Sequence, residues 1–202
     1  MTLREHDAWL VDLDGTLYTP SPLKLIMAAN LLVAGPQTLR IVARFRKEHE
    51  AIREQGQSCS PSPFIEQIER TAKALELDRN EVESIIQKYM FERPLPWLSR
   101  FKRKDLLKEI AAFRNAGGRT AIVSDYPAQK KLAALDVTKL FDRVVACGEP
   151  GGPNKLKPAP DGFLLAAKVL GVEPNRCLVI GDRTDADGAA AKASGMEFRL
   201  IT

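Results

Sequence analysis

Two aspartates one residue apart, Asp12 and Asp14 in Asp-Leu-Asp-Gly-Thr-Leu at 12–17, close an apolar run that begins Trp9-Leu10-Val11. Paired carboxylates of this kind could attack an electrophile, exchange a proton, or hold a hard divalent cation. An apolar run that ends at a glycine reads as a buried strand breaking into a turn, so the two acids emerge at the strand's carboxyl end. Open α/β sheets bind their ligands there. With one residue between them on an extended backbone, the two side chains point the same way while Leu13 packs inward. Taken alone, the same residues also fit a plain acidic turn, because Asp and Gly are common turn residues.

Strand and helix patterns alternate along the rest of the chain. Strand one spans about 8–12, and strand two, Arg119 to Ser124, follows an amphipathic helix carrying Leu106, Leu107, Ile110 and Phe113 that stops at Gly117-Gly118. Strand three is Arg143 to Ala146, a helix runs from Asp161 to Leu170, strand four is Cys177 to Ile180, and Phe198 to Ile201 reads as a fifth. This βαβ repetition predicts an α/β fold with a mainly parallel, doubly wound sheet and helices on both faces. The link between strands one and two is far longer than the dozen or so residues that a crossover needs. Within it Leu39, Val42, Phe45 and Ile52, then Phe64, Ile68, Ala72 and Leu75, then Val82, Ile85, Ile86 and Tyr89 fall near helical spacing, and Asp78 with Glu81 can cap the last helix. An inserted helical unit over 19–95 accounts for them, with Pro94 and Pro96 marking the return to a core made of 1–18 and 96–202.

Asp-Leu-Asp-Gly-Thr-Leu at 12–17, Ser124 after Ala121-Ile122-Val123, Lys157 in Lys-Pro-Ala-Pro, and Gly181-Asp182 after Cys177-Leu-Val-Ile resemble, in that order, the four motifs of the haloacid dehalogenase (HAD) superfamily. The resemblance covers about residues 7–18 and 100–202, and the segment 19–95 carries no family motif. It implies a Rossmann-like HAD core of strand order 3-2-1-4-5 and a helical C1-type cap, as in phosphoglycolate phosphatase-like enzymes. By the same resemblance Asp12 is a nucleophile that forms an aspartyl-phosphate, and Asp14 is the acid toward the leaving alcohol and then the base for water. Ser124, Lys157 and the backbone N–H groups of Leu13 and Asp125 bind the substrate phosphate. Mg²⁺ is held by Asp12, Asp182 and the Asp14 backbone carbonyl. Asp187 is the preferred further or water-mediated ligand, since the small-residue run after it resembles relatives, and Asp185 is an additional candidate. Crowded carboxylates repel one another and raise each other's pKa, so a cation and a lysine are almost demanded. One departure stands out: relatives often carry Asn after the Ser or Thr, and here Asp125 follows, unfavourable near a phosphate unless turned away. Retention of Asp14 favours a phosphatase over a dehalogenase. A phosphomutase would use the same motifs, and a non-catalytic module that binds a phospho-ligand or a protein could keep the same core.

Composition fits this expectation. The 202 residues suit one core domain with an insert. A net charge of +4 suits phosphorylated ligands and is too small to argue for nucleic acid. The basic stretches Arg40–Arg53 and Arg100–Lys108 read as solvated helix faces. Cys59, Cys147 and Cys177 are odd in number without C-x-x-C spacing, which points to free thiols in a reducing cytosol, and Cys177 reads as a small buried hydrophobe. Gly148 to Pro153 lacks Gly-Lys-Ser/Thr, so it is a connection and not a Walker loop. His6 and His49 are too far apart to suggest a metal cluster, and His49 shares a helical face with Phe45 and Ile52. Arg183 fits either a loop salt bridge or a reach to substrate. Met1 to Asp7 is polar and unlike a leader, and the apolar stretch Leu23 to Ala34 holds Lys24 and is too short to span a bilayer. The expectation is a cytoplasmic enzyme acting on a small phosphorylated metabolite, with no membrane or nucleic-acid partner.

Overall fold

A computed structural model describes residues 5–202, so the first part of the polar start Met1 to Asp7, residues 1–4, lies outside the described residues. Strands β1 (Ala8–Val11), β2 (Arg119–Ser124), β3 (Arg143–Ala146), β4 (Cys177–Gly181) and β5 (Glu197–Leu200) form one parallel sheet in the order β3-β2-β1-β4-β5. This is the doubly wound, Rossmann-like arrangement. β1 is central and nearly all buried because both of its faces are covered. Ala8 and Leu10 join a core with Phe163 and Ala166 of α8 (Asp161–Leu170) and Ala190 of α9 (Ala189–Ala193). Val11 faces the other way, onto Ile110 of α6 (Lys104–Asn115) and Leu132 of α7 (Gln129–Ala134). Trp9, on that second face, stacks on Phe113 at 4.3 Å.

Val11 is level with both Ile122 and Ile180, so the three central strands end nearly flush. Asp12, Ser124 and Asp182 therefore leave the same edge of the sheet within about one residue of each other.

The chain departs from that edge through Tyr18, which bridges Lys102 on the return path; Thr19 N–H donates to the Phe101 carbonyl and Arg103 N–H to the Leu17 carbonyl. Between these points lie α1 (Pro20–Ala34), α2 (Pro36–Gln55), α3 (Pro63–Leu75), α4 (Arg79–Ile86), a wide π-type turn at Gln87–Glu92 and α5 (Leu95–Leu98). Ser62 caps α3 by accepting from Ile65 N–H, and Asp78 caps α4 by accepting from Asn80 and Glu81 N–H. Ile41, Phe45, Phe64, Ile68, Val82, Ile86 and Phe91 give these helices a core of their own. Tyr126, in the loop after β2, reaches into it, with ring centroids 5.6 Å from Phe91 and 4.5 Å from His49. α1, like the short α5 and α7, is a helix that periodicity did not foretell: it is apolar nearly all round, leaving Leu25, Leu32 and Val33 exposed, so it carries no one-sided stripe to read. Among the described residues no helix is long and apolar enough to cross a membrane.

Candidate active site

Asp12 follows β1 and is buried, and each of its carboxylate oxygens has a donor. Lys157 Nζ lies 2.5 Å from Oδ1 and the Thr16 hydroxyl donates to Oδ2 at 2.9 Å. Two donors on opposite oxygens fix the side chain's rotation. The same ammonium lies 2.7 Å from Asp187, and Asp12, Asp182 and Asp187 each present an oxygen within 4.8 Å of the others. Burial, helped by the nearby Asp187 charge, pushes Asp12 up to about 7 against the pull of Lys157. Burial and Asp187 also raise Asp182. Burial disfavours the Lys157 ammonium, but Asp12, Asp125 and Asp187 outweigh it and hold that lysine charged. Three carboxylates thus share one lysine. A cluster of hard oxygen donors with surplus negative charge fits a small divalent cation such as Mg²⁺.

Glycines make the room for this cluster. Gly15 has φ +101°, and a Cβ there would overlap the Asp182 carboxylate; a Cβ on Gly181 would overlap that of Asp187. Gly181→Ala is expected to destabilise the protein by about 1–3 kcal/mol through overpacking and to weaken cation binding, read by urea unfolding and a Mg²⁺ titration. An unchanged midpoint would mean that Asp187 is not held against Gly181.

Ser124, at the end of β2, is buried, lines the cavity beside Asp12, and accepts from Tyr126 N–H at 3.2 Å. Asp125 also lines this cavity, and both of its carboxylate oxygens are taken up by donors: the Lys157 backbone N–H at 3.0 Å and Arg53 at 3.2 Å. Its carboxylate is neutralised by α2 while it steadies the segment that carries Lys157, which accounts for an acid where relatives often have an amide. Leu13 is buried between the two aspartates. Asp185 stands apart from the acidic triad, exposed and paired with Arg183 at 2.5 Å; Arg183 forms this loop salt bridge and also lines the cavity, so both of its readings stay open. Asp14 lines the cavity, but its side chain faces Lys131, with Nζ at 2.5 and 2.7 Å, and the Tyr18 hydroxyl at 2.5 Å.

His49 packs as its helical face predicted, buried and stacked on Tyr126. It accepts from Arg53 at 3.1 Å and donates to Gln67 at 3.3 Å, the pattern of a neutral ring, and burial lowers its pKa. Arg53 corrects the reading of Arg40–Arg53 as wholly solvated, because its side chain is largely covered between Asp125, Glu50 and His49. Arg53 and Lys131, like Thr16 and Tyr18, are site residues that sequence reasoning missed. The available signal for the first two was a cation on an apolar face: Arg53 lies four residues after His49, and Lys131 sits among Ala128, Leu132 and Leu135. The turn Gly148 to Pro153 also has a task, since Glu149 accepts from the Ala128 and Gln129 N–H groups at the start of α7. Cys177 is buried and its thiol is pushed up to about 11, chiefly by burial, as befits a packing residue.

A cavity of about 430 Å³ opens above Asp12, Ser124 and Lys157. Leu23, Met27 and Met90 form an apolar wall, and Lys24 and Arg46 lie on its rim. Residues 6–195 match the sequence profile of the haloacid dehalogenase-like hydrolases. A phosphoglycolate phosphatase of Aquifex aeolicus is 30% identical over 125 residues, 60% of this chain and only 56% of that protein's length. A glyceraldehyde 3-phosphate phosphatase of Methanopyrus kandleri is 29% identical over 200 residues, 94% of this chain and 81% of that protein. Among solved structures, a HAD phosphatase from Thermococcus onnurineus shares the fold with a TM-score of 0.64 at 22% identity, over 97% of this chain and 86% of its own.

Proposed function

The chain belongs to the haloacid dehalogenase-like hydrolases, and from that membership we propose a Mg²⁺-dependent phosphatase that cleaves a small phosphomonoester through an aspartyl-phosphate on Asp12. One observation carries this reading: a buried carboxylate pinned on both oxygens, at the floor of a cavity, with an ammonium and two more acids beside it. The phosphatase names of the relatives support it. In the first step an Asp12 oxygen bonds to phosphorus and the bond from phosphorus to the leaving oxygen breaks. The electron pair stays with the leaving oxygen, which takes a proton from the Asp14 carboxyl. In the second step water attacks phosphorus and gives its proton to Asp14, while the bond from phosphorus to Asp12 breaks and restores the carboxylate.

The Ser124 hydroxyl, the Lys157 ammonium and the backbone N–H groups of Leu13 and Asp125 bind the phosphoryl oxygens in this reading. Asp12, Asp182, Asp187 and the Asp14 backbone carbonyl would hold Mg²⁺, which when bound supplies positive charge against the phosphate and the crowded acids. Asp185 has no part in it. The helices of 19–95 act as a cap over the core of 1–18 and 96–202, and their wall of Leu23, Met27 and Met90 meets the leaving group. Buried free thiols at Cys59, Cys147 and Cys177 support a cytoplasmic setting.

The test is phosphate release from a panel of small phosphomonoesters, with Mg²⁺ and with EDTA. Release that EDTA abolishes is expected, and a folded, Mg²⁺-binding protein that releases none would overturn the proposal. A second outcome follows from the raised pKa of Asp12. Because the cation must displace a proton below pH 7, its affinity should rise by about tenfold per pH unit up to about pH 7 and level off above. Calorimetric titration in buffers of different ionisation enthalpy reads the released proton, and an affinity flat from pH 5 to 8 would remove Asp12 from the metal site.

A further inference from the structure

We propose that Lys131 is a positioning residue for Asp14, orienting its carboxylate from behind so that one oxygen faces the leaving group in the cavity. The proposal rests on the reading of Asp14 as the group that exchanges a proton with that leaving group. Lys131 lies on the apolar face of α7 and is only 8% exposed, and lysine is almost never buried unless paired. Its ammonium reaches both Asp14 oxygens, at 2.7 Å from Oδ1 and 2.5 Å from Oδ2, and the Tyr18 hydroxyl donates to Oδ1 at 2.5 Å. The ring centroids of Phe91 and Tyr126 lie 5.4 and 5.6 Å from Nζ, within range of cation–π attraction. Core and helical insert both contribute to this box, since Phe91 belongs to the insert.

The contacts on Asp14 are uneven, and that unevenness carries the inference. Each carboxylate oxygen has about two lone-pair directions. Oδ1 takes two donors and Oδ2 takes one, so Oδ2 keeps a direction open while the carboxylate cannot rotate. The Asp14 side chain is 30% exposed and lines the cavity above Asp12, whereas Lys131 is not among the residues lining that cavity and instead lines a smaller chamber that Asp14 also borders. Lys131 therefore acts through Asp14 and does not touch substrate. As the bond from phosphorus to the leaving oxygen breaks, that oxygen takes the proton from Asp14, and Lys131 itself neither gains nor loses one.

Leaving-group dependence separates this role from support of the fold. A p-nitrophenolate departs without needing a proton, whereas an alkoxide needs one. The experiment measures leaving-group release in single turnovers, with p-nitrophenyl phosphate and with ethyl phosphate, for the wild type, Lys131→Met and Tyr18→Phe, all with saturating Mg²⁺. Single turnovers report the first step apart from hydrolysis of the intermediate. Lys131→Met is expected to slow ethyl phosphate cleavage by about 10²-fold and p-nitrophenyl phosphate cleavage by at least about tenfold less, and Tyr18→Phe to show the same selectivity more weakly. If Lys131→Met does not fold, as judged by circular dichroism, the selectivity of Tyr18→Phe decides. Equal losses on both substrates, or none on either, with an active wild type would overturn the positioning role and leave the phosphatase reading in place. A wild type inactive on both would remove the reading on which the role rests, and the role with it.

Discussion

Replacing Asp12 by asparagine is expected to lower phosphate release by roughly 10⁴-fold or more while making the protein more stable at pH 8 without divalent cation. The loss of activity follows because an amide cannot take the nucleophile's part. The gain in stability follows from the sign of the shift at Asp12, whose pKa rises from 3.8 to about 7 in the fold. A carboxyl group with a raised native pKa gives stability that is fully present below 3.8 and lost as pH rises through about 7. At pH 8 the charged form is the one strained by burial and by Asp187. Asparagine is neutral at every pH and removes that strain, while Lys157 keeps Asp187 as its partner. Thermal unfolding at pH 8 with EDTA reads the second effect and single-turnover assays read the first. A variant that is inactive because it is unfolded, or one that still turns over, would contradict the account.

The second large effect is expected at Lys157. Lys157→Met keeps most of the length of the side chain and removes the ammonium that reaches both Asp12 and Asp187. Removing one partner of a buried ion pair leaves an uncompensated buried charge and costs about 3–5 kcal/mol. Activity should fall with it, since the lysine is also proposed to bind the phosphoryl group. Adding Asp187→Asn to Lys157→Met should recover part of the stability and none of the activity, a coupling that urea unfolding of the two single variants and the double variant resolves. A cost below about 1 kcal/mol, the size of an exposed pair, would show that Lys157 does not neutralise this cluster.

The strands were legible because they are short apolar runs bounded by turn residues, and β2 and β3 occupy the spans read from the sequence, Arg119–Ser124 and Arg143–Ala146. Their order in the sheet was not legible from the residues themselves and came only with the family resemblance. The helices α2, α3 and α4 announced themselves by one-sided apolar spacing, and α1 did not, because a helix that is apolar on most sides has no period to detect. Asp12, Ser124, Lys157, Asp182 and Asp187 were legible as a group only because they stand in four ordered motifs, and the structure brings them to one edge of the sheet. The contacts that make the site specific to this chain were not legible. Lys131 and Asp14 are 117 positions apart, and Arg53 and Asp125 are 72 apart. No local spacing encodes such pairs; only the sheet order and the seating of the helical insert create them. Asp125 shows the same limit from the other side, since an acid that looked unfavourable near a phosphate turns out to be occupied by Arg53 and by the backbone of Lys157.

The most direct test of a covalent role for Asp12 is to trap the intermediate. The enzyme would be mixed with an excess of a phosphomonoester that it cleaves, quenched in acid during steady turnover, treated with borohydride to reduce any acyl-phosphate, and mapped by peptide mass spectrometry. The account predicts reduction of the Asp12 side chain to the alcohol, in the peptide that carries Asp-Leu-Asp-Gly-Thr-Leu, and no reduction at Asp14. Reduction at another acid, or an unmodified Asp12 in an enzyme showing a burst of leaving-group release, would contradict it.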